Sequence, residues 1–149
     1  MAVTENLTDG ERGRILVMDD EEGIRILAEA MLEDMGFEVE VTRNGDEAVL
    51  FFRREREAGR PFDIVLLDLK IPGGMGGEEA VKKLLEIDPA VKAIVSSGLA
   101  NTPITNEFRK YGFSGVLLKP YSRKDLLQIL TGVLAGPAGV EAQQSKPGI

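Results

Sequence analysis

Five short apolar runs alternate with five stretches of helical periodicity, and this alternation constrains the fold more tightly than any other feature of the chain. The runs RILVMD at 14–19 and IVLLD at 64–68 are continuously apolar and end in an acid, which suits parallel strands buried on both faces. Val39 and Val41 alternate with charged neighbours and predict an edge strand, while Ala93 to Ser97 and Val116 to Leu118 supply the fourth and fifth. Between them, Ile24, Leu27, Ala28, Met31, Leu32 and Met35 recur at helical spacing, with Gly36 where a left-handed cap is expected. Asn44 is placed to cap a second helix that ends at Gly59-Arg60-Pro61, and a third runs from Glu78 to Ile87, stopped by Asp88-Pro89. Thr102-Pro103 opens a fourth that closes at Tyr111-Gly112, and Ser122 with Asp125 opens a fifth that runs to about Leu134. Strands and helices in this order, with connections long enough for crossovers, predict the α/β class: a doubly wound, five-stranded parallel sheet covered on both faces. Spacing alone does not order the strands.

The 149 residues suffice for one core, read as a domain over 14–134, with 1–13 a disordered tail or linker and 135–149 a disordered tail. The chain has no cysteine and no histidine, so disulfides, thiolate chemistry, phosphohistidine and histidine-ligated zinc are excluded from it. Chemistry is left to carboxylates, lysine, hydroxyls and a hard metal. A net charge of -7 argues against a nucleic-acid surface, and the cluster Arg53, Arg54, Arg56 is balanced by Glu55 and Glu57 as a solvated helix face. No apolar run approaches the roughly 20 residues of a membrane span, and the polar start MAVTENLTDGERG is no secretory signal. Cytoplasmic location is the expectation.

Doubly wound sheets bind ligands at the carboxyl ends of their strands. Those ends carry Asp19 and Asp20 after the first strand, Asp68 after the third, Ser97 after the fourth and Lys119 after the fifth. Any one of these residues suits a turn or a helix cap, and the run Asp19-Asp20-Glu21-Glu22 would favour a helix N-terminus. Capping does not explain the ordered set. Three carboxylates brought together repel one another unless a cation or lysine joins them, and oxygen ligands favour Mg²⁺, with Mn²⁺ as its substitute.

The ordered pieces ILVMDDE at 15–21, DIVLLDLKIP at 63–72, IVSSG at 94–98 and LLKP at 117–120 resemble the response-regulator receiver domains over about 13–134. The resemblance implies strand order 2-1-3-4-5 in a flavodoxin-like, CheY-like three-layer sandwich. It further implies that Asp68 accepts a phosphoryl group from a phosphohistidine on a histidine kinase or phosphotransfer protein. Asp20, Asp68 and the backbone carbonyl of Lys70 would ligate Mg²⁺, with Asp19 acting through a metal-bound water. Lys119 would pair with a phosphoryl oxygen, and the Ser97 hydroxyl would swing inward, altering the surface of the fourth helix, fifth strand and fifth helix where a protein partner binds. Such a domain promotes its own Mg²⁺-dependent phosphorylation and dephosphorylation without being a turnover enzyme.

Three departures from the family pattern stand out. Val116 occupies a position that is often aromatic, with Phe113 or Tyr121 as substitute reporters. The loop Ile-Pro-Gly-Gly-Met-Gly-Gly after Lys70 is one residue longer than the common form and is expected to be looser. Lys70 and Leu99, two positions beyond Asp68 and Ser97, are expected to modulate water's access to the phosphoryl group. A phosphorylation-independent interaction domain of the same fold is the alternative. Flavin binding is disfavoured by the acids after the first strand, a dehalogenase-type phosphatase by Lys70, and a P-loop by the missing Gly-Lys-Ser/Thr. The glycine-rich loop and the Val-Ser-Ser-Gly strand end favour the receiver of a hybrid sensor kinase over a free-standing one, and a homodimer is left open.

Overall fold

A computed structural model describes residues 12–136. Of the predicted tails 1–13 and 135–149, residues 1–11 and 137–149 lie outside the described residues, while Ala135 still belongs to the last helix. Five strands, β1 (Arg14–Met18), β2 (Glu38–Thr42), β3 (Ile64–Asp68), β4 (Ala93–Ser97) and β5 (Gly115–Leu118), form one sheet in the order β2-β1-β3-β4-β5. Every neighbouring pair is parallel. The helices are α1 (Glu22–Asp34), α2 (Gly45–Glu57), α3 (Gly77–Ile87), the short α4 (Pro103–Asn106) and α5 (Arg123–Ala135).

Alternation along the inner strands divides the core into two layers. Ile15, Val17, Ile64, Leu66, Ile94 and Leu117 face α1 and α5, packing on Ala28, Leu32, Leu126, Ile129, Leu130 and Val133. Leu16, Met18, Val65, Leu67, Ala93 and Val95 face the other way, onto Ala48, Phe52, Ala80, Val81 and Leu84 of α2 and α3. All five residues of β3 and of β4 are buried, as continuous apolar runs require of central parallel strands. Truncating such a side chain, Leu66 for example, removes about 2–5 kcal/mol of stability.

The predicted caps are present. The Asn44 side chain accepts a hydrogen bond from the Glu47 N–H, Ser122 and Asp125 form a reciprocal capping box, and Gly36 follows α1 at φ 99°. One element differs from expectation. The continuous fourth helix predicted over 102–111 is broken: after α4 the chain leaves helical geometry at Glu107 (φ -127°, ψ 48°) and resumes as a 3₁₀ turn over Phe108–Tyr111. Neither piece has a fully buried residue, so packing does not hold the segment to one helix.

Candidate functional site

Backbone pairing continues past the strand ends and fixes the rim. The Asp19 N–H donates to the Thr42 carbonyl at 3.1 Å, Leu69 N–H to Ser96 at 2.8 Å, and Lys119 N–H to Ser97 at 2.8 Å. Asp19, Asp68 and Lys119 are thereby carried on the ladder itself rather than on mobile loops.

The carboxylates of Asp19, Asp20 and Asp68 each offer an oxygen within 4.8 Å of the others; Asp19 and Asp68 are buried and Asp20 is exposed. Lys119 Nζ lies 2.8 Å from Asp19 Oδ2 and 3.3 Å from Asp68 Oδ1. Lysine thus joins the acids from β5 across β4. Capping accounts for only one oxygen of the set: Asp19 Oδ1 accepts the Glu21 N–H at 3.0 Å, while its other oxygen takes the lysine. The Asp19 carbonyl is held by Arg25 Nη1 at 2.8 Å, a contact from one turn into α1 that sequence reading missed.

Burial and the adjoining Asp19 carboxylate push Asp68 up to about 6, against the opposing pull of Lys119. Burial works against the Lys119 ammonium too, but the charges of Asp19 and Asp68 outweigh it and hold Lys119 above its usual value. The pocket is therefore anionic and undercompensated, with three carboxylates facing one ammonium. An oxygen-only cluster of this span suits Mg²⁺, whose opposite ligands stand about 4 Å apart. The donor set fits the ion.

Ser97 is buried at the end of β4, but its hydroxyl is engaged locally. It donates to the Leu99 carbonyl at 3.1 Å and accepts the Leu99 N–H at 3.0 Å. Leu99 itself is 56% exposed. Lys70 lies exposed in the loop after Asp68, beside a groove lined by Ile71, Pro72, Glu78 and Lys82. The expected looseness of that loop is not found. Gly45 N–H donates to the Met75 carbonyl at 2.8 Å, Ile71 and Met75 pack on the α2/α3 core, and Gly76 and Gly77 press against the backbone of Leu69 and Asp68. Val116 packs partly buried in the same core layer, and Phe113 is buried there completely. Tyr121 lies nearer the acids: burial and the Asp19 charge push its hydroxyl up to about 12.

The response regulator receiver domain model matches residues 15–131. Sporulation initiation phosphotransferase F of Bacillus subtilis is 32% identical over 108 residues, covering 72% of this chain and 82% of that protein. The chemotaxis protein CheY of Thermotoga maritima is 31% identical over 122 residues, covering 80% and 96% respectively. The chain spans only 59% of another relative, the response regulator GacA of Pseudomonas aeruginosa, at 30% identity. Among solved structures, the receiver domain of a Pseudomonas aeruginosa sensor histidine kinase, with magnesium in its active-site cleft, aligns at TM-score 0.72 and 25% identity, covering 83% of this chain and 98% of that one. Among the described residues no helix is long and apolar enough to cross a membrane. With the fold, the acidic rim and these matches in agreement, the chain belongs to the response regulator receiver domain family and is a two-component, phosphorelay-type receiver.

Proposed function

We propose that Asp68 is the phosphoacceptor, taking its phosphoryl group from a phosphohistidine on a histidine kinase or phosphotransfer protein. The observation that carries this is the convergence of Asp19, Asp20 and Asp68 within 4.8 Å at the end of the central strand, with Lys119 reaching across to two of them. An Asp68 carboxylate oxygen attacks phosphorus as the P–N bond breaks; the electron pair stays on the departing imidazole nitrogen, which takes up a proton from solvent. Asp20, Asp68 and the Lys70 backbone carbonyl would hold Mg²⁺, with Asp19 contributing through a bound water. Bound there, the ion neutralises the charge that keeps carboxylate and phosphoryl oxygens apart.

This chain's own groups do the rest. Lys119 transfers its pairing from Asp68 to a phosphoryl oxygen as the Asp68 charge is consumed. Ser97 gives up both bonds to Leu99 to reach another phosphoryl oxygen, so the β4–α4 loop moves with it. The α4–β5–α5 face, which includes the broken helix, is the surface that changes for a protein partner. Leu99, exposed beside Ser97, Val116 and Lys70 modulate solvent access and loop packing around the group. The cytoplasm is where ATP charges a histidine donor, and that is where the domain works. Attachment to a hybrid kinase is supported by the likeness to a sensor-kinase receiver; the coding sequence beyond both ends tests it.

Incubation with Mg²⁺ and acetyl phosphate is expected to add one phosphoryl group, located on Asp68 by mass spectrometry, and Asp68→Asn is expected to abolish it. Labelling that survives this substitution rejects Asp68. A parent chain that takes no label favours the phosphorylation-independent interaction domain.

A further inference from the structure

Asp19 and Asp20 are consecutive, yet they are held differently: Asp19 is buried and takes Lys119, while Asp20 is exposed. Packing therefore does not fix Asp20, and its position comes through the backbone on either side. That backbone is pinned where the Asp19 N–H donates to the Thr42 carbonyl at 3.1 Å, where Asp19 Oδ1 accepts the Glu21 N–H at 3.0 Å, and where the Asp19 carbonyl accepts a bond from Arg25 Nη1 at 2.8 Å. A strand end and an Asp turn supply the first two. The third needs this particular side chain. Arg25 is half-buried and is the fourth residue of α1, where a cation opposes the helix dipole. Glu21, four residues back, is the usual ion-pair partner on a helix, yet the guanidinium lies on the Asp19 carbonyl. Its charge also reaches the first turn of α2: hydrogen bonds from Arg43 and, more weakly, the Arg25 charge hold the Glu47 carboxyl below its usual value.

We propose that Arg25 is a positioning residue for the metal: its bond to the Asp19 carbonyl sets the peptide unit from which Asp20 projects, and so presents Asp20 to Mg²⁺. The inference rests on the reading of Asp20 as a Mg²⁺ ligand and names the group that holds that ligand in place. Because a peptide unit is planar, the Asp19 carbonyl and the Asp20 N–H turn together. Holding the carbonyl fixes the torsions on both sides of the plane, and with them the direction in which the Asp20 side chain leaves the backbone. A guanidinium makes a stronger bond to that carbonyl than a neutral donor would. Mg²⁺ demands near-ideal octahedral geometry, so a displaced ligand loses affinity. Two accounts compete. If Arg25 acts only as a cation near three acids, it opposes the metal and its loss tightens binding. If it only staples α1 to the end of β1, its loss lowers the melting temperature and leaves the affinity of the folded domain unchanged.

Calorimetric titration of Mg²⁺ into the parent chain, Arg25→Met and Arg25→Lys separates these accounts when run well below every melting temperature, so that only folded protein is measured. Arg25→Met keeps the apolar stem and removes the donor. It is expected to weaken Mg²⁺ binding about 10-fold, the lower end of what groups behind a metal ligand contribute. Arg25→Lys, which keeps a charged donor, is expected to recover most of that loss. The proposal is overturned if Arg25→Met binds Mg²⁺ as tightly as the parent or more tightly, or if Arg25→Lys binds as weakly as Arg25→Met. A parent chain without saturable Mg²⁺ binding, or an Asp20→Ala chain that keeps the parent's affinity, overturns the ligand assignment of Asp20, and this proposal with it.

Discussion

Because burial and Asp19 lift Asp68 to about 6, its charged form is disfavoured in the folded chain relative to the unfolded one, where a carboxyl titrates near 3.9. The folded state therefore binds the extra proton between those two values. The contribution of Asp68 to stability is greatest below the unfolded value, falls as pH rises through about 6, and is level above it. At pH 7 without metal, Asp68→Asn is expected to raise stability by on the order of 1–3 kcal/mol and to flatten the acid-side slope, as measured by urea unfolding across pH 4–8. An unchanged slope would mean that Asp68 is not the strained group. Asp19, Asp20, Asp68 and Lys119 were legible in the sequence because each follows a recognisable strand, and strand ends in such a sheet converge. Which of Ser96 and Ser97 shares the face of Asp68 was not. Adjacent strand residues face opposite layers, and only the register with Asp68 reveals which hydroxyl is on its side of the sheet. Nor does sequence show that Ser97 is tied to Leu99, since that bond depends on the local turn.

Glycines after β3 read as flexibility in the sequence, yet two of them serve close packing. A Cβ at Gly76 would stand 2.4 Å from the Leu69 carbonyl oxygen, and one at Gly77 2.9 Å from that of Asp68. Those oxygens belong to the backbone that carries the site, so they cannot yield as a side chain would. Gly76→Ala is expected to cost about 1–3 kcal/mol by overpacking. At Gly74 the nearest atom is a side-chain methyl of Ile71 at 3.5 Å, an ordinary contact, and Gly74→Ala should stay within about 0.5 kcal/mol of the parent. Equal losses in urea denaturation would contradict the docked loop. At α4 the difference runs the other way, because a capped, proline-initiated segment predicts one helix and the structure has two pieces. The caps are correct: Thr102 and Thr105 form a reciprocal box, and Gly112 ends the segment at φ 97°. Local signals fix where a helix starts and stops. Its continuity depends on burying a face, and here no side chain is fully buried.

The layered core and the rim place different demands on the molecule, since the central strands are apolar throughout while their ends gather negative charge. A cation that binds the folded rim and not the unfolded chain must stabilise the whole domain, by ~2.7 kcal/mol when present at 100 times its dissociation constant. For a domain of this size that corresponds to roughly 10 °C in melting temperature. Net charge complicates the measurement, because any salt relieves repulsion in a chain carrying -7. The comparison is therefore Mg²⁺ against NaCl of equal ionic strength. Mg²⁺ is expected to give the larger rise, and Asp20→Ala, an exposed position whose loss leaves the core intact, is expected to reduce it to the NaCl value. Proton competition supplies an independent check. Below about pH 6 the Asp68 carboxyl holds a proton that the metal must displace, so the Mg²⁺-specific rise should shrink as the solution is acidified and vanish near pH 4. A rise that persists in Asp20→Ala, or that ignores pH, would place the ion on the general surface charge and not at the end of β3.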